Sequence, residues 1–195
     1  MNKIIKQSGE VAPGTQEHII ATARRFFSEY SYLGVSMSDI AKKLNITKAA
    51  IYYHFTGKAE IYEKVLDQVF YELHLVVADA LSEGPADKKL HKLIKSYLEF
   101  GFKEKNLIKA MALKLSPGNE QILEHLSKLR QQISNTIQPI ITEVLKGKRP
   151  GSRVDGRLLS SMLTGMMDGL LLEYSFLNKG INSTKVSDQI INVLF

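Results

Sequence analysis

Between Ser36 and Phe55 the chain leaves little choice of fold: two short helices must meet at a tight corner. Ser36 is placed to cap the first helix, and Asp39, three residues on, completes a capping-box pair. Met37, Ile40, Ala41 and Leu44 then recur at helical spacing. Asn45 suits the corner, because asparagine tolerates the left-handed conformation that ends a helix. Thr47 can cap the second helix, whose Ile51 and Phe55 lie four apart on one inward face. Ala49, Tyr52 and Tyr53 share the other side, near Lys48. A turn this short between two helices fits a helix-turn-helix, whose second helix enters the major groove of DNA.

The outward side of that second helix carries chemistry suited to a nucleic acid. Thr47 and Lys48 stand at its N-terminus, where free N–H groups and the helix dipole favour a phosphate. Lys48 can instead reach a guanine edge. Tyr52, Tyr53 and His54 offer donors for phosphates and flat rings for sugars or thymine methyls. Ala49 is small enough for a close backbone approach, and Lys58 is expected to clamp a phosphate from the first turn of the next helix. The candidate DNA-binding set is therefore Ser36, Thr47, Lys48, Ala49, Tyr52, Tyr53, His54 and Lys58. The plainer alternative makes the tyrosines packing aromatics and Lys48 a solvated charge.

Composition narrows the class. A length of 195 residues allows one large or two small domains with a real core. The net charge of +6 agrees with an anionic partner, although half of that excess lies beyond residue 64. No cysteine is present, which excludes disulfides, thiolate zinc sites and thiol redox sensing. The N-terminus lacks the apolar core of a signal peptide, and no apolar run is long enough to span a membrane. A cytoplasmic protein is expected. His18, His54, His74, His91 and His125 are scattered without metal-ligand spacing, and no nucleophile or phosphate-loop motif occurs. Neither an enzyme, nor a cofactor, nor a metal site is predicted.

The rest of the chain is all-α. Residues 1–14 form an arm in which Lys3 and Lys6 can touch a groove or simply be solvated. A helix with Ile19, Ile20, Ala23, Phe26 and Phe27 inward braces the pair above, giving a three-helix head. A long helix from Lys58 to about Leu81 links this head to a larger body and is the natural lever between them. Pro139 is expected to break the hydrogen bonding of a near thirty-residue helix locally. The helix from Asp155 to about Lys179 is apolar on more than one side, and Ser161, Gly165 and Gly169 form a small-residue stripe along it. That stripe admits another backbone, either from a second copy or from within the subunit. A last helix with Ile190 and Leu194 can pack beside it. Asp168 sits in an apolar run, either to meet a cationic ligand or to make an interhelical hydrogen bond. Met111, Met162, Met166 and Met167 are flexible enough to line a pocket, although such a methionine-aromatic stripe is more often plain core.

The residues from Ile20-Ala21 to Phe26-Phe27, Ser36 to Ala41, Ile46-Thr47-Lys48, Ile51 to Phe55, and Lys58 resemble the N-terminal domain of the tetracycline-repressor (TetR) family of transcriptional regulators. Ser31, Asn45 and Ala49 depart from it, standing where the family usually has glycine, as does Gly57, where serine is frequent. Ala49 adds a methyl at the closest approach to DNA. The resemblance implies a head at 15–57 and a regulatory and dimerisation body at 58–195. It also implies a homodimer joined through its last two helices, with Ser161, Gly165, Gly169, Ile190 and Leu194 at the interface. It further implies a repressor on a palindromic double-stranded operator, released by a small-molecule effector. Phe70, Phe100, Met111, Met167 and Tyr174 are the candidate pocket. A constitutive DNA-architectural or adaptor protein with the same head and a filled core is the alternative.

Overall fold

Local capping starts the second and third helices of the head where the sequence places their caps, whereas the first begins after Gly14 without a side-chain cap. In the computed structural model, which describes residues 14–113, 120–148, 150–151 and 153–194, the head is α1 (Thr15–Tyr30), α2 (Met37–Leu44) and α3 (Lys48–His54). The Ser36 hydroxyl accepts from the Asp39 N–H at 3.2 Å, while the Asp39 carboxylate accepts from the Ser36 N–H at 2.9 Å. The Ser36 hydroxyl, donating to the same carboxylate at 2.6 Å, and then the Ser36 N–H hold the Asp39 carboxyl below the usual range. Asn45 takes φ 54° and ψ 39° at the corner, and the Thr47 hydroxyl accepts from the Ala50 N–H at 3.1 Å. The N-terminal arm before Gly14 and the stop at 116–118 lie outside the described residues.

Ser31 is the exception to this local agreement. It ends α1 at φ 62° and ψ 172°, a region that essentially only glycine occupies without strain. Its hydroxyl is also buried without a partner. Replacing Ser31 by Gly should therefore stabilise the protein by about 1–3 kcal/mol, less the extra entropy of glycine in the unfolded chain. Urea unfolding checks this; an unchanged or lower midpoint would mean that the backbone is not strained there.

The helix α4 (Lys58–Leu81) leaves the head and enters a body of α5 (Ala86–Lys103), α6 (Lys105–Leu113), α7 (Glu120–Lys148), α8 (Gly156–Leu177) and α9 (Ser183–Leu194). α7 runs through Pro139 without ending. The missing N–H removes one rung of the ladder, and packing of Ile133, Ile137, Ile140, Ile141 and Val144 into the core carries the helix across it.

Two hydrophobic cores result, and α4 belongs to both. Its first half places Ile61, Tyr62, Val65, Leu66 and Val69 with Ile19, Phe27, Ile40, Ile51 and Phe55 of the head. Leu107 of α6 and Ile122 of α7 join this cluster. The second half of α4 puts Leu73, Val77 and Ala80 into the body core with α5, α7 and α8. Buried apolar side chains of this size each stabilise by roughly 1.5–3 kcal/mol. Moving α4 against either end therefore disturbs several such contacts at once. The head is therefore continuous in packing with the body through α4.

Candidate nucleic-acid interface and ligand cavity

The head presents one polar, aromatic face. Ile51 and Phe55 are sealed in the core, which turns Thr47, Lys48, Ala49, Tyr52 and Tyr53 outward; Tyr53 is 78% exposed. The Lys48 ammonium lies 5.9 Å from the centre of the Tyr52 ring. Ser36, at the start of α2, is exposed as well. His54 is only half-exposed, and its Nε2 is buried without a hydrogen-bond partner, so the imidazole is less available than its sequence position suggests.

Lys58 is placed differently from the expected phosphate clamp. Its ammonium donates to the Tyr32 and Val35 carbonyls, both at 2.9 Å, and lies 4.3 Å from the centre of the Tyr32 ring. Burial lowers its pKa from the usual lysine value. The side chain ties the first turn of α4 to the α1–α2 connection. Replacing Lys58 by Met should thus cost about 1–3 kcal/mol of stability and leave the slope of log affinity against log salt unchanged. A slope reduced by about 1 at undiminished stability would restore Lys58 to the phosphate contacts.

Inside the body, α4, α5, α6, α7 and α8 enclose a cavity of about 460 Å³, within the range of roughly 300–1,000 Å³ typical of small-molecule sites. Val69, Phe70, Leu73, Phe100, Leu107, Ile108, Leu126, Leu171 and Leu172 make most of its wall apolar. Of the expected pocket residues, Phe70 and Phe100 line it. Met167 does not: it is fully buried in the body core, and neither it nor Tyr174 is on the wall. Viewed down α8, both lie beyond Leu171, on the side away from Asp168 and Leu172. The Met111 side chain lies outside the described residues.

Polar groups enter this wall as a network. The buried Tyr97 hydroxyl donates to Asp168 at 2.6 Å, and Arg130 meets the other Asp168 oxygen at 2.6 Å. Burial pushes the Asp168 carboxyl above the usual range, while Tyr97 and Arg130 pull it back. Burial also raises the Tyr97 hydroxyl, and the Asp168 charge adds to that. Asp168 is thus an interhelical hydrogen-bond acceptor. Glu104 is a further acid in the wall, and its carboxylate lies 3.0 Å from Arg24 of α1.

Residues 19–65 match the family model for bacterial regulatory proteins of the tetR family. The negative transcriptional regulator IcaR of the icaADBC biofilm operon, from Staphylococcus aureus strain Newman, is 30% identical over 132 residues, 66% of this chain and 70% of IcaR. The chain belongs to the tetR family. Across 55 residues, its identity to IcaR from Staphylococcus epidermidis rises to 44%, over 28% of this chain and 30% of that one. The fold of FadR from Bacillus subtilis, solved in complex with stearoyl-CoA, superposes with a TM-score of 0.77 at 20% identity. That match covers 91% of this chain and 96% of FadR. This tetR-family chain is a helix-turn-helix transcriptional regulator, and among its described residues no helix is long and apolar enough to cross a membrane.

In this tetR-family body, the small-residue stripe of α8 faces outward. Ser161, Gly165 and Gly169 are exposed, and a Cβ built on either glycine would meet nothing within 4 Å. Leu158 and Met162 beside them are 62% and 51% exposed. On α9, Leu194 is half-buried and Val193 exposed, but Ile190 is packed into the body core. Ile190 therefore has no free surface for a partner, because the Val186–Ser187–Ile190 side of α9 faces inward. Val193, which periodicity alone left unassigned, takes its place on the outer face.

Sequence reasoning also missed the junction between head and body. Arg24 bonds both Glu72 oxygens, at 2.6 and 2.8 Å, while its Nη2 also faces Glu104. One guanidinium on α1 thus holds the lever helix and the end of α5. Arg25 is simply exposed. No local pattern announces such a clamp, since its partners lie far along the chain.

Proposed function

We propose that this chain is a homodimeric repressor that reads a palindromic double-stranded operator through α3 and releases it when a small molecule occupies the body cavity. One observation carries this reading. The same helix, α4, packs under the reading head and supplies Val69, Phe70 and Leu73 to the cavity wall. A ligand larger than about 460 Å³ must press on α4, and the head shares its core with that helix. Repression is the activity in IcaR's name, and FadR was solved with an acyl-CoA; both support the proposal. A constitutive architectural protein would be better served by a filled body, so the cavity favours an effector.

Binding selection from random duplex DNA tests the reading. The recovered sequences should be two-fold symmetric, with half-sites about one helical turn, roughly 34–36 Å, or a multiple of it apart. Replacing Lys48 by Ala should then relax preference at one base position per half-site, costing about 1–3 kcal/mol there. Equal loss on every operator variant would make Lys48 a phosphate anchor. A pool no different from its starting composition would remove the operator reading itself.

A further inference from the structure

The cavity has a neighbour of opposite character. A second space of about 320 Å³ adjoins it, and the two share Leu123, Leu126 and Arg130 as wall residues. The remaining wall of the second space is Ser127, Gln131, Ser134, Ser161 and Thr164. Arg130 is the only charged residue in this described lining; all the others beyond the two leucines are neutral hydroxyls or an amide. The first space is chiefly apolar, and its two acids already have cationic partners: Glu104 has Arg24, and Asp168 has Arg130.

Arg130 stands at the junction of the two spaces with donors to spare. Its ion pair with Asp168 approaches through Nη2 at 2.6 Å, and a guanidinium carries five N–H donors in a rigid fork, more than that one carboxylate oxygen can take. Tyr97 bonds the other Asp168 oxygen at 2.6 Å. This pair fixes the fork in position without occupying it. An anion of the right size can then take the remaining donors as a charge-assisted, fork-shaped contact, with the nearby hydroxyls completing its shell.

We infer that the effector is an anionic amphiphile, with its elongated apolar body in the larger cavity and its anionic head in the polar annex on Arg130. Asp168 and Tyr97 are positioning residues for that head. This assignment rests on the effector reading above and names its ligand class. Either a free carboxylate or the phosphates of a coenzyme A thioester can supply the head.

Calorimetry on the full chain without DNA tests it, with dodecanoate, dodecanoyl-CoA, dodecanol and dodecyltrimethylammonium, each kept below its aggregation concentration. At least one of the two anions should bind tenfold or more tighter than dodecanol, and the cation should bind weakest. Arg130→Gln should bring that anion down to the dodecanol level while leaving dodecanol unchanged; Arg130→Lys should keep part of the preference. Which anion wins tells the carboxylate from the thioester source. Tightest binding of the cation, equal binding of all four, or an anion preference that survives Arg130→Gln would each overturn the assignment. Should Arg130→Gln fail to fold, the ranking of the four probes on the native chain still decides. Release of a selected duplex is measured separately. Anion binding without release would remove the effector reading and keep the site, whereas release by a compound without anionic preference would do the reverse.

Discussion

Replacing Arg24 by Ala should destabilise the protein by about 2–4 kcal/mol and loosen the head from the body. The alanine would leave two carboxylates without their cation. Glu72 and Glu104 lie close to one guanidinium whose side chain is only 19% exposed. Breaking a buried ion pair by removing one partner costs about 3–5 kcal/mol, and the partial exposure of Glu72 lowers the figure through solvent screening. Arg24→Lys should recover only part of the loss, because a single ammonium cannot reproduce the fork. Adding Glu104→Gln to the alanine variant should recover some stability by removing one stranded charge. The pH dependence has a definite sign. The hydrogen bonds from Arg24 hold the Glu72 carboxyl below its ordinary range. The clamp's contribution is therefore full above the ordinary glutamate pKa and is lost as pH falls through the lower folded value. Urea unfolding at neutral and acidic pH checks both points; an Arg24→Ala loss as large in acid as at neutrality would mean that packing, not charge, holds the junction.

Replacing Gly165 by Leu should break the dimer while leaving the subunit folded. Within one subunit the position is open, so leucine has room. Helix propensity even favours it, since an interior glycine costs close to 1 kcal/mol relative to alanine. Two exposed glycines with no neighbour are a standing cost to α8 unless another backbone uses the gap. The apolar residues around them, Leu158, Met162 and Phe176, are exposed in the lone chain and call for the same cover. Overpacking costs about 1–3 kcal/mol per site, and a two-fold axis puts the lesion in both subunits. Sedimentation should show more monomer, helicity should match or exceed the native value, and operator affinity should fall because one head reads too few base pairs. A fully dimeric variant would place the interface elsewhere on the body.

How much of this was legible beforehand divides by distance along the chain. The corner at Asn45, the caps at Ser36 and Thr47, and the inward Ile51 and Phe55 are all settled within a few residues, and side-chain spacing suffices to see them. The sharing of α4 between head and body also follows from its position. What could not be read depends on partners far apart in sequence. Lys58 looked like a DNA contact because a helix start beside a reading head favours one; the carbonyls of Tyr32 and Val35 claimed it instead. Asp168 showed only that an acid interrupts an apolar run, not that Tyr97 and Arg130 would meet it. Met167 and Ile190 were assigned from apolar character, which does not say which side of a helix meets a cavity, a partner or the core. Ser31 is instructive in another way. Its mismatch with the glycine usual in the family marks a strained backbone, a cost visible once the positive φ is known.

Occupancy of the body cavity is expected to move the two heads of a dimer through α4 and the Arg24 clamp. Because the chain has no cysteine, a single Glu29→Cys change on the exposed end of α1 gives one spin label per subunit. The distance between the two labels should shift by a few ångströms when saturating dodecanoate or dodecanoyl-CoA, whichever calorimetry shows to bind, is added. An unmoved distance distribution with ligand demonstrably bound would contradict the account.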